Sequence, residues 1–407
     1  MVKVIIPPIS SVKGKLSIGQ AATLVLADSL IKYFQQMGED VYFHARAYNS
    51  QGRLMEKSLE QKEVSDKYFF ERADLFISNM EKDKLRLNLS SDGTDFLDHS
   101  EDVRRLSQES FIKLLTKKFI FKSGGDFYLD NERIIKENNL CGSLEKITFM
   151  PKKFKNDLLQ LVRDTCLPLR LSRERQFATP IPSEYGSGFL DPLWTLSVQA
   201  SSLKDSPSCT VVCGRNMATR YVYYSLLTGI ALTGDVPFNN MIIHSIFNDS
   251  KGNRMSNRNK NVCFMSDIPQ EYSSDMIRYA LLRATTFNEE TSNFDIGFLS
   301  EGQKTVYRIG NLRKFFMGKQ VIFPNGIEEK FTEEYKSSMH ELNLRRAFDI
   351  ARISLTELSR TIKSEYDNGS VRDLPEKAKW YLAAVYMAYP FMPEITKKSK
   401  EVLGLNL

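Results

Sequence analysis

The chain has 407 residues, 42% of them hydrophobic and 26% charged, with a formal net charge of +6. That length leads us to expect two to three domains, each able to bury its own core. No apolar run reaches the roughly 18 residues that span a bilayer, so no membrane partner is expected and a cytoplasmic location is the default.

Val2 to Ile6 is apolar and β-branched, as a buried parallel strand requires. The run is too short, and too soon interrupted by Pro7-Pro8, to read as a signal peptide. A turn from Pro7 to Gly14 follows. Then Ile18, Ala21, Ala22, Val25, Ile31, Phe34 and Met37 recur at helical period, with Gly38 as C-terminal cap. Val41-Tyr42-Phe43 begins a second strand. Strand, glycine-bearing turn, helix and strand form the opening βαβ unit of a nucleotide-binding α/β fold.

Residues 71–165 are more charged and more helical, with breaks expected at Gly124-Gly125 and Cys141-Gly142, and read as an insertion. Strand signals return after Pro180-Ile181-Pro182, at Thr210-Val211-Val212 and at Met241 to His244. Cys209 and Cys213 fall on one side of the first of these strands and read as buried residues rather than metal ligands. The five cysteines (141, 166, 209, 213 and 263) contain no Cys-x-x-Cys pair, and four histidines leave little room for a metal centre. From 271 onward the pattern is helical, broken near Gly318 to Gly326 with Pro324-Asn325-Gly326 as a turn, and at Asp367 to Ser370. The expected organisation is α/β: a Rossmann-type parallel sheet over 1–70 and 166–270, the insertion at 71–165, and a helical bundle over 271–407.

Two segments carry candidate chemistry. Gly14-Lys15-Leu16-Ser17-Ile18-Gly19-Gln20 opens a helix after the first strand, where small residues admit a nucleotide backbone and a helix N-terminus favours phosphate. Lys251-Gly252-Asn253-Arg254-Met255-Ser256-Asn257-Arg258-Asn259-Lys260-Asn261 is a cationic loop late in the α/β region. The pair resembles the His-Ile-Gly-His and Lys-Met-Ser-Lys-Ser signatures of class I aminoacyl-tRNA synthetases. Further stretches agree in order: Leu171 to Pro182, Phe189-Leu190-Asp191, Gly214-Arg215-Asn216-Met217, Ile243-His244-Ser245, Asp275-Met276-Ile277-Arg278-Tyr279 and Pro390 to Glu394. The resemblance covers nearly the whole chain and is greatest to the methionyl type. It implies an enzyme that binds ATP with Mg2+ and an amino acid. It sets Ser17, Gln20, Arg254, Ser256 and Arg258 at the phosphates. Pro8, Gly19, Gly214, Asn216, His244 and Met255 fall about the rest of the nucleotide, and Ile9, Asn49, Phe189 and His244 about the amino acid.

The departures are as specific as the matches. Ser17 and Gln20 replace both histidines; each can hydrogen-bond, but neither can be an imidazolium, and losing one transition-state donor costs about 3 kcal/mol. Asn257 stands for the lysine that handles pyrophosphate, Asn49 for the aspartate that binds the substrate ammonium, Asn216 for the ribose aspartate and Phe189 for a pocket tryptophan. A lone histidine at a strand end is more often structural than a ligand contact, which weighs against a direct role for His244. Phe127-Tyr128-Leu129-Asp130 stands where zinc-binding members begin their knuckle, so no structural zinc is expected. The anticodon-reading positions are Lys314-Phe315-Phe316 and Ser364-Glu365-Tyr366-Asp367, which lack the pattern that reads bases.

Three functions follow from this resemblance. The first is an amino-acid-activating enzyme that passes its acyl group to a small molecule or carrier instead of tRNA, as homologues in natural-product pathways do, some with a zinc cupin partner that links the amino acid to an N-hydroxylated amine. The second is a non-catalytic scaffold or sensor. The third is a tRNA ligase with relaxed motifs, supported only by the mild positive charge.

Overall fold

The structure, a computed structural model, describes residues 2–6, 15–44, 47–48, 75, 78–90, 96–97, 101–164, 167–173, 178–191, 193–195, 197–198, 208–256, 259–319 and 329–403. Strand β1 (Val2–Ile5), helix α1 (Ile18–Gln36) and strand β2 (Val41–His44) come first in the chain. Strands β3 (Thr148–Met150), β4 (Ser208–Gly214) and β5 (Asn240–His244) follow. Helices α2 (Ser274–Ala284), α3 (Gly297–Gly318), α4 (Glu329–His340), α5 (Leu344–Asp367), α6 (Leu374–Ala388) and α7 (Pro393–Leu403) lie toward the end of the chain. Among the described residues no helix is long and apolar enough to cross a membrane.

Packing divides the chain into two units. One holds Met1–Leu16, Asp40–Glu81 and Ser91–His244; the other holds Ser17–Glu39, Lys82–Ser90 and Ser245–Leu407. Helix α1 and the cationic loop therefore pack with the helical bundle.

The first unit is built on a five-stranded parallel sheet of order β2-β1-β4-β5-β3. Strand β4 is buried from Cys209 to Gly214, as a central parallel strand covered on both faces must be. Burial alone pushes the Cys209 thiol up to about 12, so it stays protonated and inert. The insertion shares this core through Phe111, Leu114, Phe127 and Leu129. Gly124 and Gly125, with φ of +57° and +90°, turn a hairpin between strands Ile120–Ser123 and Asp126–Leu129. What reads in sequence as a break is thus a two-residue hairpin turn. Cys141-Gly142 is not a break either. It lies in a short helix, Leu140–Leu144, because the Asn139 side chain accepts a hydrogen bond from the Gly142 N–H at 3.2 Å. Phe127 to Leu129 are strand residues, and Asp130 caps the next helix by accepting from Arg133 N at 3.0 Å.

In the second unit α1 is buried at every position from Ala21 to Tyr33, including Asp28 and Lys32. Gly38, with φ of +78°, ends it as the sequence leads one to expect. The two charges face Arg278 of α2, which is fully buried. Its Nη1 donates to Asp28 Oδ2 at 2.6 Å and to the Leu87 carbonyl at 3.3 Å. Nη2 donates to the Pro390 carbonyl at 2.7 Å and to Ser29 Oγ at 3.3 Å, and Nε to the Phe391 carbonyl at 2.9 Å. Lys32 Nζ reaches both Asp28 oxygens at 2.8 Å, and Ser90 N donates to Asp28 Oδ1 at 2.7 Å. Around this centre Tyr335 and Phe348 meet Phe391 edge-on, and Phe316 stacks on Tyr381 at 5.1 Å. Phe316, from a position that the resemblance ties to anticodon reading, is fully buried core.

Burial raises the cost of ionising Asp28, but Arg278, Lys32 and the Ser90 N–H outweigh it and hold the carboxyl below its ordinary 3.8. A carboxyl lowered on folding stabilises the native state above its unfolded pKa, and that contribution disappears as pH falls through the native pKa. Asp275 has the opposite sign. It accepts from Glu394 N at 3.2 Å and Ile395 N at 2.7 Å, capping α7 from α2, yet burial pushes it up to about 6. Its contribution falls as pH rises from 3.8 to about 6, because the native state keeps a proton that the unfolded chain has lost.

Two measurements check this. At neutral pH Asp28→Asn is expected to lose about 3–5 kcal/mol, since Arg278 then faces no full charge. The gap to wild type should close in acid below 3.8, read by urea denaturation across the acid range. A carbon-detected titration should place the Asp275 midpoint near 6, and a midpoint near 3.8 would contradict the burial.

Candidate functional site

The sequence of α1 dictates how its first turn is made. Ser17 sits just before the helix in extended conformation, and Gln20 is the third helical residue. Ser17 Oγ accepts from Gln20 N at 3.4 Å and donates to Gln20 Oε1 at 3.0 Å, while Ser17 N donates to the same oxygen at 3.0 Å. This is a capping box, in which two otherwise orphaned backbone N–H groups are satisfied reciprocally. Both residues assigned to phosphate are thus tied into the helix end. The Ser-x-x-Gln spacing was visible in the sequence and its structural meaning was missed. Between them, Gly19 faces open space, with nothing within 4 Å of where a Cβ would stand.

The chain just after the second segment is joined to the first by backbone. Ser17 pairs with Phe264 in an antiparallel bridge, and Ile18 N donates to the Cys263 carbonyl at 3.1 Å. No sequence signal pointed to Cys263 or Phe264. Arg86 holds the following turn, donating to the carbonyls of Met265, Ile268 and Pro269 at 2.6, 2.7 and 2.9 Å. Arg254 bridges to Asn248, and Met255 N donates to the Phe247 carbonyl at 3.4 Å, so this run is zipped onto strand Ile246–Asn248. The Arg254 side chain is exposed, while Met255 and Ser256 are half-buried. Lys251, Arg254 and Lys260 make no ion pair with a described carboxylate, so the loop presents cations that its own acids do not neutralise.

The first unit holds the other half of the expected residues. Gly214 ends β4 and lies opposite His244, which ends β5 in parallel register. A Cβ on Gly214 would stand 2.9 Å from Asn216 Oδ1 and 3.3 and 3.4 Å from the imidazole Cε1 and Nε2 of His244. Glycine is therefore required for two polar side chains, Asn216 and His244, to converge at the carboxyl ends of two adjacent strands, the edge where open α/β sheets bind ligands. His244 is buried and Asn216 exposed. Phe189 is half-buried on a separate small sheet, paired with Arg173. Arg173 Nε donates to Asp191 Oδ2 at 2.7 Å.

Of the expected residues, the second unit gathers Ser17, Gly19, Gln20, Arg254, Met255 and Ser256, and the first gathers Gly214, Asn216 and His244. Pro8, Ile9, Asn49, Asn257 and Arg258 lie outside the described residues, as do Gly14, Cys166, Glu174 to Phe177 and Pro324 to Gly326. Among the described residues no group of three or more His, Cys, Asp or Glu could hold a metal ion.

Known proteins share this architecture. The family model for class I tRNA synthetases (I, L, M and V) matches residues 192–293. A cysteine–tRNA ligase of Wigglesworthia glossinidia brevipalpis is 23% identical over 362 residues, 85% of this chain and 72% of that protein. A methionine–tRNA ligase of Fusobacterium nucleatum is 19% identical over 480 residues, 98% of this chain and 74% of that one. The crystal structure of Mycobacterium tuberculosis methionyl-tRNA synthetase in complex with methionyl-adenylate superposes with a TM-score of 0.79 at 12% identity, covering 99% of this chain and 94% of that one. The chain thus resembles class I tRNA synthetases in sequence. It shares the fold of methionyl-tRNA synthetase.

Ser17→Ala removes the Oγ bonds of the capping box, leaving the residue-17 N–H on Gln20 Oε1, and should cost about 1 kcal/mol of stability. Gln20→Ala should cost a similar amount, and the double variant less than the sum, because the two side chains act as one unit. Chemical denaturation of the three variants tests this; simple additivity would show that the box is not formed.

Proposed function

We propose that this chain activates an amino acid and transfers it to an acceptor other than tRNA. The amino-acid carboxylate oxygen attacks the α-phosphorus of ATP, the bond from that phosphorus to the bridging oxygen breaks, and pyrophosphate leaves. An amine or hydroxylamine nitrogen of the acceptor then attacks the acyl carbon of the aminoacyl-adenylate, gives up its proton, and AMP leaves. The observation that carries this reading is the backbone pairing of Ser17 and Ile18 with Cys263 and Phe264, which holds the first signature segment against the chain that follows the second.

With no imidazolium at Ser17 or Gln20, phosphate charge is met by Arg254 and its neighbouring lysines and by the positive end of α1. Arg258 belongs to the same proposal. Asn216 and His244 serve the nucleoside side, and Asn49, Phe189 and His244 the amino acid. Mg2+ would enter on the phosphates of ATP, since no acidic cluster among the described residues calls for a resident ion. A non-tRNA acceptor is supported by Phe316, whose ring is spent on the core stack with Tyr381. A pathway enzyme such as a cupin, joining the acyl group to an N-hydroxylated amine, fits that chemistry. The capping box favours a second reading, a non-catalytic scaffold or sensor, because it occupies both histidine positions with structural bonds.

Pyrophosphate exchange across all proteinogenic amino acids, with and without a hydroxylamine acceptor, separates these readings. Exchange with one or a few amino acids, and hydroxamate formation when the acceptor is added, is expected. No exchange with any of them, and no binding of an adenylate analogue, would establish the second reading instead. Salt-dependent binding of tRNA with transfer to its 3′ end would mean a tRNA ligase with relaxed motifs.

A further inference from the structure

We infer that Asp249 and Asn261 are positioning residues: they clasp the cationic loop from its two ends and thereby set Arg254 for the nucleotide phosphates. This rests on the reading of that loop as a phosphate site. Asp249 works from the start of the loop. Its Oδ1 accepts from Lys251 N at 3.0 Å and from Asn253 N at 2.8 Å. Its carbonyl accepts from Gly252 N at 3.0 Å, and its own N–H donates to the Asn253 carbonyl at 2.9 Å. Asn261 works from the end. Its Nδ2 donates to Asp249 Oδ2 at 2.9 Å and to the Arg254 carbonyl at 3.3 Å, while its Oδ1 accepts from Ser256 N at 3.0 Å. Asn259 reinforces the same centre, donating Nδ2 to the Arg254 carbonyl at 3.0 Å and its N–H to Ser256 Oγ at 3.1 Å.

These bonds converge on Arg254 and Ser256, the residues that the phosphate proposal uses. The backbone turns at both ends in the left-handed region, at Gly252 with φ of +83° and at Lys260 with φ of +56°. Lys260 is a non-glycine residue in that conformation, held where Asn261 can reach back to Asp249. The Asp249 carboxylate is spent on amide donors: the Asn261 amide first, then the Asn253 N–H, hold its carboxyl below its ordinary value. It therefore orders the loop without neutralising the cations beside it. A side chain carried on a fixed backbone loses less freedom when it meets a phosphate, which appears as affinity and orientation.

The test uses the full chain. Asn261→Ala should speed tryptic cleavage after Lys251, Arg254 and Lys260 in the free protein by about tenfold, because two to three loop bonds are lost. It should also raise KM for ATP in pyrophosphate exchange by about tenfold, with KM for the amino acid unchanged. A merely structural role would lower kcat through a smaller active fraction and leave KM for ATP alone. Asn261→Asp sets two carboxylates against each other and should do at least as much damage. The exchanged pair Asp249→Asn with Asn261→Asp remakes the bond between the two positions and should recover part of the loss. Unchanged cleavage and an ATP KM within twofold of wild type in Asn261→Ala would overturn the inference. Wild-type protein that binds no nucleotide analogue would overturn the activation reading and this inference with it, whereas intact wild-type exchange with an unchanged variant KM would overturn this inference alone.

Discussion

Arg278 has five N–H groups and finds five acceptors, all inside protein: Asp28, Ser29 and the carbonyls of Leu87, Pro390 and Phe391. Such a centre is weak evidence of extra stability, because an apolar replacement of similar volume is often as stable. Its consequence is geometric. A fully buried guanidinium tolerates no slippage, so α1, the segment at Leu87 and the turn before α7 must meet α2 in one register. The first turn of α1 is bonded to Cys263 and Phe264, just beyond the second signature segment. Asp275, three residues before Arg278 on α2, completes the frame by capping α7.

At the first signature, the replacement of two imidazoles exchanged one physical role for another. Serine at the cap position and glutamine three residues on are a strong capping pair, and the structure uses them so. What the helix end gains in backbone satisfaction the phosphate site loses in positive charge. The second signature retains exposed cations, held on a loop whose order comes from amide side chains. On the proposed reading, charge for the phosphates comes from the loop rather than from side chains at the helix end.

Much of this was legible in the sequence. Strand β1, helix α1 with its terminal Gly38, and the central strands at 208–214 and 240–244 follow from apolar runs and helical period. The resemblance gave the order of the motifs. What could not be read were pairings between distant segments. Asp28 and Lys32 look like solvent-facing charges on a helix until Arg278, far along the chain, is seen to need them. Asn261 looks like one more polar loop residue until Asp249 is folded against it. Gly124-Gly125 reads as a break because two glycines mark both hairpins and breaks, and only the flanking strands decide. Cys141-Gly142 stayed helical because a neighbouring asparagine side chain supplied the cap.

The central claim is that residues 17–20 and 251–264 form one phosphate-binding site in spite of the lost imidazoles. Hydrogen exchange of the whole chain, measured with and without saturating ATP and Mg2+, tests it most directly. Slowed exchange in both segments together is predicted. Exchange unchanged in both, at ATP concentrations that saturate related synthetases, would contradict the claim.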